Sequence, residues 1–163
     1  MKKKNIVIAI MVIALGIAAY NALFADKDGN DIASSGKSVA NANGDMEIPI
    51  SEITEDASFF AYNELDSEME VIAVKASDGT IRTAFNTCQV CYSSGRGYYV
   101  QEGDRLVCQN CGNTFGMDDV EVTKGGCNPV PIYDDQIKIN SDTIIIPKEF
   151  LKEAEIIFQN WKA

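Results

Sequence analysis

The chain has no histidine, and that absence removes several function classes at once. It rules out a Ser-His-Asp triad, a Cys-x-x-Cys-His haem attachment, a Rieske cluster and any zinc hydrolase that relies on imidazole ligands. Positive charge is also scarce. The chain holds 24 acidic and 14 basic residues, and three of the basic ones are Lys2, Lys3 and Lys4, so everything after the N-terminal segment carries a formal charge of −13. Such a surface argues against nucleic acid as a partner and serves solubility. Adjacent acids such as Asp118 with Asp119, or Asp134 with Asp135, read as solvated loops in so acidic a chain and receive no catalytic role. There is no twin-arginine signal near Met1, no cysteine at the end of the first apolar run to carry a lipid, and no internal repeat beyond one paired cysteine motif.

What is present divides the 163 residues into three parts. Residues 1–25 open with Lys2 to Lys4 and continue as an apolar run from Ile6 to Ala19, prolonged by Tyr20 and Ala22 to Ala25. As a helix this run would rise about 30 Å, the thickness of a bilayer's hydrocarbon core. Leu23 and Tyr20 stand where a cleavage site needs small residues, which favours an uncleaved membrane anchor over a removed signal. The lysines place the N-terminus inside the cell and the remainder outside, giving a single-pass cell-membrane protein with an extracytoplasmic C-terminal domain. Residues 26–45, rich in Asp, Asn, Ser, Gly and Ala, read as a flexible linker. Regular structure is expected from Met46, so residues 46–163 form the folded domain.

Within that domain the pattern is mainly β, of the α+β type. Ala57 to Tyr62 reads as a strand. Glu68 to Ala76 and Thr80 to Asn86 flank Asp78-Gly79, a hairpin signal because glycine supplies the positive φ of a tight turn. Runs at Tyr98–Val100, Arg105–Val107, Ile137–Ile139 and Thr143–Ile146 add shorter strands, predicting a compact antiparallel β domain. At the C-terminus, Pro147 suits the first position of a helix, and Phe150, Leu151, Ala154, Phe158 and Trp161 fall on one face at helical spacing. That stripe is expected to pack on the sheet.

The chemistry lies in the cysteines. Cys88-Gln89-Val90-Cys91 and Cys108-Gln109-Asn110-Cys111 are two Cys-x-x-Cys pairs separated by 16 residues, a spacing found in four-thiolate metal sites. Two intervening residues let a tight turn aim both sulfurs at one ion, and a second turn across a hairpin completes a tetrahedron. Gly112 can adopt positive φ behind the second pair and bring backbone N–H groups toward a thiolate; the first pair has Tyr92 at the equivalent place. Cys127, in Gly125-Gly126-Cys127-Asn128-Pro129, reads either as a functional thiol, a fifth ligand or a reactive group, or as a small buried residue. Metal binding is favoured over two other readings, which stay open. An oxidising exterior permits two disulfides, although the odd count leaves one thiol over. A thiol-disulfide redox pair is compatible with Cys-x-x-Cys but lacks its usual βαβ setting.

The run Phe85-Asn86-Thr87-Cys88-Gln89-Val90-Cys91-Tyr92, followed by Gly97-Tyr98, Val107-Cys108-Gln109-Asn110-Cys111-Gly112, Phe115 and Gly125-Gly126-Cys127-Asn128-Pro129, resembles the FtrD-like membrane iron-sulfur protein family. The resemblance implies an extracytoplasmic metal-binding domain, associated with membrane iron-transport systems, for which electron transfer to iron has been proposed. It implies Cys88, Cys91, Cys108 and Cys111 as ligands and makes Cys127 a family residue. Longer members carry several membrane spans, whereas one anchor is read here. The ion stays open between iron-sulfur, zinc and copper. A cluster assembled in the cytoplasm ordinarily needs export of a folded protein; zinc needs no such route and suits four thiolates; copper(I) accepts soft thiolates. The expected partners are the membrane and its transport or redox proteins. The function expected is electron transfer or metal handling with a membrane iron-transport system; the alternative is a non-catalytic binding domain held together by structural zinc, or a thiol-disulfide redox protein.

Overall fold

The computed structural model describes residues 34–163. The expected anchor at residues 1–25 lies outside them, and no helix among the described residues is long and apolar enough to cross a membrane. The described part is mainly antiparallel β, with one short C-terminal α-helix.

At the centre is a five-stranded sheet. In spatial order its strands are β1 (Ser34–Gly36), β4 (Ser58–Tyr62), β5 (Met69–Lys75), β6 (Ile81–Cys88) and β10 (Pro129–Ile132). Strand β5 reads Met-Glu-Val-Ile-Ala-Val-Lys and is buried on both faces over Val71–Val74. A sheet covered on both sides explains why this segment is a near-continuous apolar run and not an alternating one. The β5–β6 hairpin turns at Gly79 with φ 82°, as its sequence predicts. Asp78 fixes that turn: its carboxylate accepts the Thr80 N–H at 2.9 Å and hydroxyl at 2.6 Å, and pairs with Arg82 at 2.7 Å. The Thr80 donors, aided by Arg82, hold the Asp78 carboxyl down at about 2.

Two smaller sheets complete the fold. One takes the order β11 (Lys138–Ile139), β12 (Thr143–Ile146), β3 (Met46–Pro49) and β2 (Val39–Ala40); the other is the meander β7 (Tyr99–Glu102), β8 (Arg105–Cys108) and β9 (Thr114–Gly116). Strand alternation sends the residues of the central sheet in two directions. Phe60, Tyr62, Val71, Ala73 and Phe85 join Met46, Ile48, Ile144, Ile146, Leu151 and Phe158 in one core. Phe59, Ile72, Val74, Ala84 and Cys88 join Tyr99, Leu106, Cys108 and Phe115 in a second. Two buried amides bind the meander to the centre. Asn86 accepts the Tyr99 N–H at 2.7 Å and donates to the Tyr99 carbonyl at 3.1 Å. Gln101 accepts the Ala57 N–H at 2.7 Å and donates to Asp56 and the Gly103 carbonyl. Each satisfies a backbone group where no ladder partner is available.

Two expectations are corrected. Extended structure is present before Met46: β1 and β2 fall in the stretch read as linker, β1 pairing with β4 as the one parallel pair among the described strands. Composition misses them because β1 contributes backbone and not apolar bulk. At Gly36 a Cβ would stand 2.1 Å from the Phe60 ring, so glycine alone lets this strand lie over that side chain. The second correction concerns Pro147, which caps the helix instead of opening it. With ψ 137° it is extended, and helix α1 runs Lys148–Ala154. The Asp45 carboxylate accepts the Lys148 N–H at 2.9 Å, replacing the cap that proline cannot provide. The expected apolar face does pack on the core, with Leu151 and Phe158 buried there and Phe150, Ala154 and Trp161 against it. Beyond Ala154, however, the chain tightens into a 3-10 turn over Glu155–Phe158. The Trp161 indole N–H donates to the Asn86 carbonyl at 2.7 Å, which fastens the C-terminus to β6.

Candidate metal centre

The two cysteine pairs sit at the ends of strands from two different sheets. Cys88 is the last residue of β6, on the same face as Ala84 and Asn86, and Cys108 is the last of β8. After each the chain turns sharply. In the first turn the Cys91 N–H points at the Cys88 sulfur, with N···Sγ 3.3 Å. In the second, Gly112 takes the positive φ its sequence position predicts, 71°, and its own N–H donates to the Cys108 carbonyl at 2.8 Å. The first turn solves the same problem differently. A 3-10 turn over Tyr92–Ser94 ends at Gly95 with φ 78°, and Gly97 then passes so close that a Cβ there would stand 2.3 Å from the Cys91 carbonyl oxygen. Contact at that distance requires glycine.

The third segment arrives through Gly125 and Gly126, both at positive φ, and places Cys127 two residues before Pro129, which lies opposite Cys88 in the β10–β6 register. The Gln89 N–H donates to the Asn128 carbonyl at 3.0 Å, the Gln109 N–H to the Tyr98 carbonyl at 2.8 Å, and the Tyr99 hydroxyl to the Cys127 carbonyl at 2.7 Å. Two backbone hydrogen bonds and one from the Tyr99 hydroxyl therefore tie the three cysteine segments together.

The sulfurs of Cys88, Cys91 and Cys108 lie within 4.8 Å of one another, and so do those of Cys91, Cys111 and Cys127. The Cys91 and Cys127 sulfurs are 3.8 Å apart. Cys88, Cys91 and Cys108 are buried, Cys127 is half-buried and Cys111 is exposed, and all five are free thiols. The cluster is thus graded from interior to solvent. The five cysteines singled out from sequence fall into these two overlapping trios, and no one group holds Cys88, Cys91, Cys108 and Cys111 together; the adjacent acids do not join either trio. Asp118 instead accepts from the Ser77 N–H and hydroxyl at 2.8 and 2.7 Å, and Asp119 caps the Gly116 N–H at 3.0 Å.

Sequence reading misses the residues that tune the thiols. Burial pushes Cys91 up to about 12, with the crowding thiols Cys88 and Cys127 adding to it and Asn110 opposing. Burial likewise pushes Cys108 up to about 12. Cys127 is pushed up to about 11 by its hydrogen bond with Cys111 and then by burial. Cys88 and Cys111 go the other way. Burial opposes ionisation at both, but the Tyr99 hydroxyl and the Val90 and Cys91 N–H groups hold Cys88 below the usual thiol range, and Asn113 N–H and neighbouring thiols do the same for Cys111. The Tyr99 phenol is itself shifted upward, first by burial and then by Cys88. Tyr99 is legible only as a strand aromatic, and Asn86, which holds the Tyr99 backbone, only as a polar residue in a strand, with no motif to mark either.

Crowded thiolates repel one another, and a thiophilic cation among them relieves that repulsion while taking several at once. A family model described as membrane iron-sulfur containing protein FtrD-like matches residues 53–158, well over half of the chain. The chain belongs to the FtrD-like family. No curated protein and no solved structure is similar enough to match it. The match to the FtrD-like model spans both cysteine pairs and Cys127, and it starts after β3, so the strands β1 to β3 lie ahead of it. Soft thiolate donors are what an iron-sulfur group requires, so the donor set in this FtrD-like chain fits the group in the family's description.

Proposed function

We propose that the chain is a membrane-anchored extracytoplasmic metal-binding protein, with residues 1–25 as anchor and the cysteine centre passing electrons to a membrane iron-transport system. Cys88, Cys91, Cys108 and Cys111 are its ligands, with Cys127 beside them. The observation that carries this reading is the convergence of five thiols from three chain segments, graded from the buried Cys88 to the exposed Cys111. An iron-sulfur group bound there would supply one-electron chemistry.

The protein's own residues do the rest. Asn86 and Gln101 tie the meander to the central sheet and so set where the two cysteine turns stand. Rigid ligands keep reorganisation small when charge changes. Backbone N–H groups of Val90, Cys91, Asn110, Cys111 and Asn113 point at the sulfurs, and hydrogen bonds to sulfur tune a thiolate centre's potential. Phe59, Phe115 and Leu106 exclude water from the inner side, while Cys111 gives the centre one solvent-facing edge at which a partner could exchange electrons.

A second reading has its own support. Tetrahedral coordination at a Zn–S distance of about 2.3 Å puts sulfurs about 3.8 Å apart, close to the 3.8 Å between Cys91 and Cys127, so structural zinc also suits the spacing. Metal analysis and an absorption spectrum of the anaerobically purified full chain separate the two. Iron with acid-labile sulfide and a measurable redox potential supports electron transfer. Stoichiometric zinc with no redox response replaces it with the structural role, and oxidised thiols without metal refute both.

A further inference from the structure

The five sulfurs do not form one ring around a single point. They fall into two trios, Cys88 with Cys91 and Cys108, and Cys91 with Cys111 and Cys127, and each trio is compact enough to close on one ion. Cys91 is the member common to both. We propose that the centre holds two thiophilic metal ions joined through the Cys91 thiolate: an inner one on Cys88, Cys91 and Cys108, and an outer one on Cys91, Cys111 and Cys127. The proposal rests on the reading of these cysteines as a metal centre and adds its nuclearity and the role of Cys127.

Three observations support it. First, a single tetrahedral ion has no place for a fifth thiol, yet Cys127 is held 3.8 Å from Cys91 by a loop with two positive-φ glycines. That loop is fixed by Tyr99 and by Asn128, whose side chain donates to the Gly125 carbonyl at 2.6 Å. Second, charge favours two ions. Binding converts each thiol to thiolate, so five thiolates around one divalent ion leave a large negative excess beside a hydrophobic core, and a second ion removes most of it. Third, a thiolate has lone pairs enough to bridge, and Cys91 lies between the other four. The two positions also differ in access. The inner trio is buried throughout, whereas the outer one includes exposed Cys111, so the outer ion exchanges first.

The test uses the full chain in detergent micelles, anaerobic, reduced and stripped of metal, titrated with cadmium and followed by thiolate charge-transfer absorption and cadmium NMR. The expected result is two cadmium ions per chain with two resonances split by mutual coupling through the shared sulfur. Chelator then removes one ion before the other. Cys127→Ser reduces the content to one ion and abolishes the splitting, and Cys88→Ser also leaves one, now on the outer trio. A wild-type chain that saturates at one cadmium, with a resonance unmoved by Cys127→Ser, overturns the inference and leaves the proposed metal centre standing as a four-thiolate site. Two resonances without splitting overturn the shared thiolate. Failure of the reduced wild type to bind any cadmium refutes the metal reading as well. The wild-type measurements stand even where a serine variant does not fold.

Discussion

On one face of the central sheet Val71, Ala73 and Phe85 meet Ile48, Ile144, Leu151 and Phe158; on the other, one residue along the same strands, Ile72, Val74 and Ala84 meet Tyr99, Leu106 and three cysteines. The first interior is aliphatic and aromatic, covered by a second sheet and a helix whose stability follows from area removed from water. The second is covered by a three-stranded meander with only short strands, and its deepest members include Cys88 and Cys108, at 0% and 1% exposure. Buried thiols pack as small hydrophobes, but a cover this slight needs cross-links to hold. The difference teaches that burial alone does not tell a structural side from a functional one. Both faces are dry; only one has side chains that could be joined by an ion.

Removing metal should have the largest effect and should act on one side only. Thiolate-bound zinc contributes on the order of 10 kcal/mol to small domains. Chelation of the reduced protein is therefore expected to erase amide-exchange protection in β7 and β8 while β3 and β12 keep theirs; uniform loss would mean that the two interiors fold as one. The reciprocal perturbation is Phe158→Ala, which opens a cavity in the aliphatic core, where Phe158 is 2% exposed and meets Phe85 edge-on at 5.7 Å. Denaturant titration should show a loss of about 3–5 kcal/mol with metal content unchanged.

A smaller lesion sharpens the comparison at the boundary. Gly97→Ala puts a methyl against the Cys91 carbonyl, and the overpacking should cost about 1–3 kcal/mol. More of that loss should appear in the metal-loaded than in the stripped protein, because the first cysteine turn must shift. The smallest effect belongs to the helix cap on the aliphatic side. Asp45→Ala should cost about 1 kcal/mol by equilibrium unfolding. The hydrogen bond from Lys148 N–H lowers the Asp45 carboxyl below its ordinary 3.8. Its contribution is thus fully present above that value and fades as pH falls through the lower, folded one. The Ala variant should show a flatter stability profile in that acid window.

Much of this organisation was legible before any coordinates. The β5–β6 hairpin follows from β-branched runs around Asp78-Gly79, and the C-terminal face from apolar residues at helical spacing, because local periodicity and turn chemistry decide both. The cysteine spacing pointed to the site for the same local reason. What escaped is non-local. Strand β1 depends on Gly36 fitting over Phe60, a contact across 24 positions. The division of five cysteines into two trios depends on how β10 returns beside β6. Asn86 and Tyr99 show as ordinary strand residues until their partners are in place. Pro147 reads as well for a cap as for a first helical position, and only its ψ decides between them.

The bond from Trp161 to the Asn86 carbonyl gives the protein its own optical gauge. The chain has a single tryptophan, and its indole is tied two residues upstream of Cys88 on the strand that carries it. Emission from that lone tryptophan, excited selectively over the six tyrosines, reports the state of β6 without any label. Occupancy of the centre could then be followed in micelles at micromolar protein, where absorption from thiolate bands is weak.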